Sequence, residues 1–120
     1  MSLVVTTKEK KAGVFVISPV GSLDTRTYSI LEKKVDYLLA SSPMAMIFDM
    51  ELVDYISSMG VRVILKAKKL MKRHSGYVLL INLQPQIQKV FDIIKALPSQ
   101  QIFSTIEELD AYLDEMQKTD

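Results

Sequence analysis

Between Ile47 and Leu65 the chain changes its periodicity, and that change limits the possible folds more than any other feature. The run ending at Asp49 is short and continuously apolar, as in a strand covered on both faces. From Val61 onward polar residues recur three and four apart, as on a helix. A buried strand feeding an amphipathic helix is the building unit of an α/β fold. The turning point is Ser57-Ser58-Met59-Gly60. Ser57 falls at the N-cap position, where a hydroxyl accepts a hydrogen bond from an otherwise unpaired amide of the first turn. Ser58 then stands at the positive end of the helix dipole, where the local field tolerates a phosphate ester. Serine pairs before helices are also ordinary caps, so the pattern alone leaves both readings open.

The rest of the chain supplies the partners such a unit needs. Leu3–Thr7 and Val14–Ile17 are rich in β-branched residues and are joined by the charged link Lys8–Gly13, which predicts a hairpin. Pro19 and Gly21 are expected to end its pairing, with Leu23 adding a final bridge before a turn at Asp24. Tyr28, Leu31, Val35 and Leu38 follow helical spacing and predict a first helix over about 26–40, stopped by Ser41-Ser42-Pro43. Met44–Phe48 is a doubly covered strand, and the second helix runs from about Ser58 to His74, ended by Ser75-Gly76. Gly60, Ile64, Ala67 and Met71 define its inward side; Arg62, Lys66, Lys69 and Arg73 define the other, a solvated face or a docking surface beside Ser58.

Tyr77–Ile81 is a further apolar strand. Pro85 suits a first helical position, and Ile87, Val90, Phe91 and Ile94 form the core stripe of a third helix that stops before Pro98. Ile102-Phe103 predicts a very short edge strand. Ser104–Glu107 has the form of a capping box for a last helix with Ile106, Leu109, Leu113 and Met116 on one side, reaching about Gln117. The expected architecture is α/β over a single domain, 1–120: a mixed sheet of about five strands, an N-terminal hairpin plus parallel strands, with about four helices. The loops at Asp24, Ser57 and Asn82 then share the carboxyl ends of the strands, where open α/β sheets carry their sites. Asp24 is either an orienting carboxylate for the serine or a turn residue.

Composition closes off several functions. Fifteen basic and fourteen acidic residues leave a formal charge of +1, so no global field draws the chain to nucleic acid or an anionic membrane. There is no cysteine, hence no disulfide or thiolate metal site, which fits a reducing compartment. No apolar run approaches the ~20 residues needed to span a bilayer, and Met1–Lys10 does not read as a signal peptide; a cytoplasmic location without membrane insertion is expected. The one histidine, His74, reads as a solvated helix end. It lies roughly 24 Å along the helix from Ser58, too far for a hydrolase triad. Neither common glycine-rich phosphate loop is present, and Asp49 lacks the acidic metal ligands that a phosphoacceptor aspartate needs after the first strand. The reading is a binding module, not an enzyme, with no catalytic residue, metal or cofactor.

The segment Asp49-Met-Glu-Leu-Val-Asp-Tyr-Ile-Ser-Ser-Met-Gly-Val-Arg-Val-Ile-Leu65 resembles the signature of the STAS domain, the family of bacterial anti-sigma factor antagonists, and Gly21-Ser-Leu-Asp24 resembles its Gly-x-Leu-Asp patch. Length and element order fit along nearly the whole chain. The resemblance implies a domain that, when dephosphorylated, sequesters an anti-sigma factor serine kinase and so releases a sigma factor, with a cognate serine phosphatase resetting it. It implies Ser58 as phosphoacceptor with Asp24 beside it; Ser57 is the second choice as acceptor, and the residues expected to bind the partner are Asp24, Thr25, Ser57, Met59, Gly60, Arg62 and Lys66. The physical expectation is an uncovered Ser58 hydroxyl, where a dianionic ester alters docking while the helix stays in place. Three features depart from the pattern: Ser57 where many members carry Asp, Met59 in place of a small residue, and Arg62 where Gly is common. Arg62 could pair with a phosphate four residues earlier. The alternatives are an unphosphorylated STAS scaffold subunit of a signalling or transport complex, and a nucleotide or small-ligand sensor.

Overall fold

The computed structural model describes residues 2–96 and 106–118. The elements are β1 (Leu3–Lys11), β2 (Val14–Leu23), α1 (Tyr28–Leu39), β3 (Ala45–Asp49), β4 (Val53–Ile56), α2 (Ser58–Arg73), β5 (Tyr77–Ile81), α3 (Pro85–Ala96) and α4 (Ile106–Gln117). The strands form one mixed sheet ordered β1-β2-β3-β5, with β4 on the distal half of β2. β1 and β2 are antiparallel; the β2–β3, β3–β5 and β2–β4 pairs are parallel.

The α/β class agrees with the sequence reading, as do the five strands and four helices among the described residues, but three details differ. β1 runs on through the charged link to Lys11, an outer strand whose lysines discourage pairing with another chain. β2 does not end at Pro19: Pro19 and Gly21 stay paired to Val5 and Leu3. Gly21 adopts φ +121°, and a Cβ there would lie 2.3 Å from the Ser2 carbonyl oxygen, so only glycine carries the strand through this point. Past that kink β2 changes neighbour, from β3 along Val14–Ile17 to β4 along Gly21–Leu23. β4 is the strand that the sequence reading lacks. The expected strand at Ile102-Phe103 and the residues Ser104 and Thr105 of the expected capping box lie outside the described residues.

The core lies between the sheet and the helices. Ile17, Leu23, Met46, Phe48, Val53 and Ile56 from the strands meet Leu31, Val35, Ile64, Ala67, Met71, Ile87, Val90 and Leu113 from the helices, all essentially inaccessible. The inward stripe expected for α2 is the buried one, joined by Val61 and Val63, and Arg62, Lys66, Lys69 and Arg73 are exposed. At the far end of α2, His74 does more than meet solvent: its Nε2 lies 2.7 Å from the Pro43 carbonyl oxygen, tying the helix end to the turn before β3.

Candidate functional site

Ser57 leaves β4 with an extended backbone and its Oγ accepts from the Gly60 amide at 3.5 Å, so it is the N-cap of α2. Its own amide donates to the Leu23 carbonyl at 2.7 Å, which sets the end of β4 beside the end of β2 and brings Asp24 close to the serine turn. Gly60 permits that approach. A methyl there would stand 2.8 Å from Ile56 Cγ1 and 3.2 Å from the Leu23 carbonyl oxygen, both in the strands under the helix.

Asp24 sits in a fully engaged turn. Its Oδ1 accepts from the amides of Arg26 (2.8 Å) and Thr27 (3.0 Å), while buried Thr27 accepts from the Asp24 amide at 2.9 Å and donates from Oγ1 to the Ser22 carbonyl at 2.6 Å. The Asp24 carboxylate is spent locally on starting α1, as an aspartate in a turn does. Thr25 is exposed at the tip of this turn. Ser22 Oγ donates to Asp54 at 2.8 Å, a second tie between β2 and β4.

Ser58 is the first residue of α2, as expected, but its hydroxyl is not uncovered. The Oγ has essentially no accessible surface and no hydrogen-bond partner among the described residues, although the residue as a whole is half-buried. Its amide donates to Asp110 Oδ1 on α4 at 2.8 Å. The first turn of α2 contains no acidic residue, so α4 lends the carboxylate that the positive end of the helix favours. The expectation of an open hydroxyl is thus corrected: helix packing around the α2 N-terminus seals the oxygen, and α4 holds the adjacent amide.

α4 is fastened to the same junction by further polar ties. Gln117 accepts from the Ile56 amide at 2.8 Å and donates to the Ile56 carbonyl at 2.7 Å, using its side-chain amide as a neighbouring strand would use its backbone. Gln86 from α3 does the same for the Asp54 carbonyl, at 3.1 Å. Gln117 thereby satisfies two β4 backbone groups that would otherwise be buried unpaired, while the Gln86 bond lies at the exposed part of the same edge. The Tyr55 hydroxyl donates to Asp114. Burial first, then this hydrogen bond and the charges of Asp114, Asp110 and Asp24, push the Tyr55 phenol well above its usual 10.0. Burial is the main cause, and the three carboxylates that add to it lie near the α2 N-terminus.

Met59, Arg62 and Lys66 join Ser58 on the wall of an open groove of about 570 Å³ between α2, α1, α3 and α4, with Leu109 opposite. Lys66 is bridged to Glu32 (3.4 Å) and Asp36 (3.5 Å) on α1, whose charges raise its pKa, Asp36 foremost. The expected partner-binding residues therefore divide. Ser58, Met59, Arg62 and Lys66 share the groove, Gly60 packs beneath it, Ser57 is buried as a cap, and Asp24 and Thr25 belong to the neighbouring turn. The roles of Asp110, Asp114 and Gln117 lie outside the sequence reading, which rests the last helix on its capping box and apolar stripe. Their spacing of four and three, on one helical face, was the available signal.

Comparison with known proteins identifies the family. The STAS domain family matches residues 6–109, and the chain belongs to it. The Bordetella bronchiseptica protein BtrV, named for anti-sigma factor antagonism, is 28% identical over 87 residues, 72% of this chain and 75% of its own. The anti-sigma factor antagonist SpoIIAA in its unphosphorylated form superposes with a TM-score of 0.71 at 20% identity, covering 91% of this chain and 96% of that one. The phosphorylated form, from Bacillus, gives 0.66 at 21%, covering 93% and 98%. The murine anion transporter Slc26a9 gives 0.59 at 19%, over 88% of this chain and 16% of the transporter. No described helix is long and apolar enough to cross a membrane.

Proposed function

We propose that this chain is an anti-sigma factor antagonist switched by phosphorylation of Ser58. Unmodified, it binds an anti-sigma factor that is also a serine kinase, and a sigma factor is released; a cognate serine phosphatase returns the modified form to the binding state. The observation that carries this reading is the division of labour between the two serines. Ser57 Oγ has a structural task as the cap, whereas Ser58 Oγ, one residue on and at the electropositive end of α2, has none. A buried hydroxyl without a partner costs about 1–3 kcal/mol, so it persists where something other than stability retains it. The family membership and the likeness to BtrV and SpoIIAA support the same reading. The physical effect is a charge of about −1.5 to −2 introduced among Asp24, Asp110 and Asp114 beside the groove, which repels or rearranges whatever docks there.

A second reading has its own support. The sealed Oγ and the transporter likeness both suit a STAS scaffold that is never phosphorylated and assembles with a signalling or transport complex. Incubation with ATP and an anti-sigma factor serine kinase from the same organism, followed by intact-mass measurement, separates the two. The antagonist reading expects one added phosphate on wild type and on Ser57→Ala, and none on Ser58→Ala. Absence of phosphate on wild type, with co-purification in a membrane or signalling assembly, selects the scaffold.

A further inference from the structure

We infer that α4 is a latch over the α2 N-terminus, and that Asp110 is the internal anion which a phosphate on Ser58 would displace. The inference rests on Ser58 being the modified residue and adds the element that moves. Asp110 Oδ1 already holds the Ser58 amide at 2.8 Å. A phosphate ester grown from the same residue would seek the same amides at the start of α2. Two anions cannot share them without repulsion, and the phosphate is the one covalently fixed in place. Asp110 therefore leaves, and with it the N-terminal half of α4.

The other ties tell which part of α4 stays. Gln117, three turns from the N-terminus of α4, clasps both backbone groups of Ile56, and Leu113 is fully buried in the common core. These form the pivot, and the Tyr55–Asp114 contact lies within it, while Asp110 marks the end that lifts. Arg62, exposed one turn further along α2, makes no ion pair among the described residues and is placed to take the phosphate once Asp110 is gone. The closed latch also explains the sealed Ser58 oxygen: the form that a kinase can modify is one with the α4 end raised. Phosphorylation then stabilises the form that it requires, a population shift and not a new fold.

Amide hydrogen exchange on the full chain, read by NMR, tests this without any kinase. Ser58→Glu, which places a carboxylate at the modified position, should speed exchange of the amide at position 58 and of the amides over 110–112 at least tenfold, while Ile56, α1 and β3 exchange as in wild type. Asp110→Ala should loosen the same amides. The double variant should exchange no faster than Asp110→Ala alone, because the new charge acts through Asp110. Unchanged protection of α4 in Ser58→Glu, or additive effects in the double variant, overturns the latch. Should Ser58→Glu also lose α1 and β3 protection, Asp110→Ala decides: α4 loosened over an intact core supports the latch, and unchanged α4 protection refutes it. A kinase that phosphorylates Ser58 while α4 stays protected refutes the latch alone; α4 opening in Ser58→Glu without phosphate transfer to wild type refutes the modification alone.

Discussion

The Asp24 turn and the Ser58 turn lie side by side, joined by the hydrogen bond from Ser57 to Leu23, yet they are built on opposite principles. At Asp24 the polar atoms near the start of α1 are supplied within a few residues: Asp24, Thr27 and Ser22 satisfy one another. At Ser58 the helix start depends on a carboxylate from more than fifty positions along the chain, and the serine oxygen is left with nothing. A turn satisfied by its own residues is complete whatever the rest of the molecule does. One satisfied from a distance can be opened by moving the distant element, so of the two neighbours the serine turn is suited to change state and the aspartate turn to stay fixed.

The largest effect should come from cutting the long-range support. Gln117→Leu leaves the Ile56 amide and carbonyl without partners in a buried place, and an expected loss of about 2–6 kcal/mol follows from two such groups. Urea denaturation measures it, and a loss below 1 kcal/mol would mean that α4 is not what completes the β4 edge. The local turn should respond less. Thr27→Val keeps the shape but removes the hydroxyl between the Ser22 carbonyl and the Asp24 amide, for about 1–3 kcal/mol. If the turn is as self-contained as its bonding suggests, this variant leaves the exchange of α4 unaltered.

How far these two regions were legible in the sequence follows the same division. Short-range physics was readable: the change from a continuous apolar run to three-and-four spacing placed α2, Ser57 announced itself as the cap, and Gly60, Ile64, Ala67 and Met71 gave the buried face. β4 was not readable because Val53–Ile56 is four residues long, carries Asp54 in its middle, and is completed by glutamine side chains on α3 and α4. β2 was cut short in the reading because Pro19 and Gly21 are usual strand breakers; here they sit opposite β1, where Gly21 is the only residue that fits. The sealed state of Ser58 was out of reach for a related reason. Local sequence shows that a helix starts there, but what lies across its end is decided by an element far along the chain.

The two serines allow a finer comparison within one turn. Ser57→Ala removes the acceptor for the Gly60 amide, and because that bond is long at 3.5 Å the expected cost is near the lower end for an N-cap, about 0.5–1 kcal/mol.

Ser58→Ala should have the smallest effect, and its sign carries the information. Removing a hydroxyl that has a partner destabilises, whereas removing one that is buried without a partner deletes a desolvation penalty and leaves the methylene packing in place. The Ser58 amide keeps Asp110, since that bond uses the backbone. Stability within about 0.5 kcal/mol of wild type, or slightly above it, is therefore expected. A loss of more than 1 kcal/mol in urea denaturation would show that Ser58 Oγ holds a partner in solution. The serine turn would then be as self-sufficient as the aspartate turn, and the contrast between them would be gone.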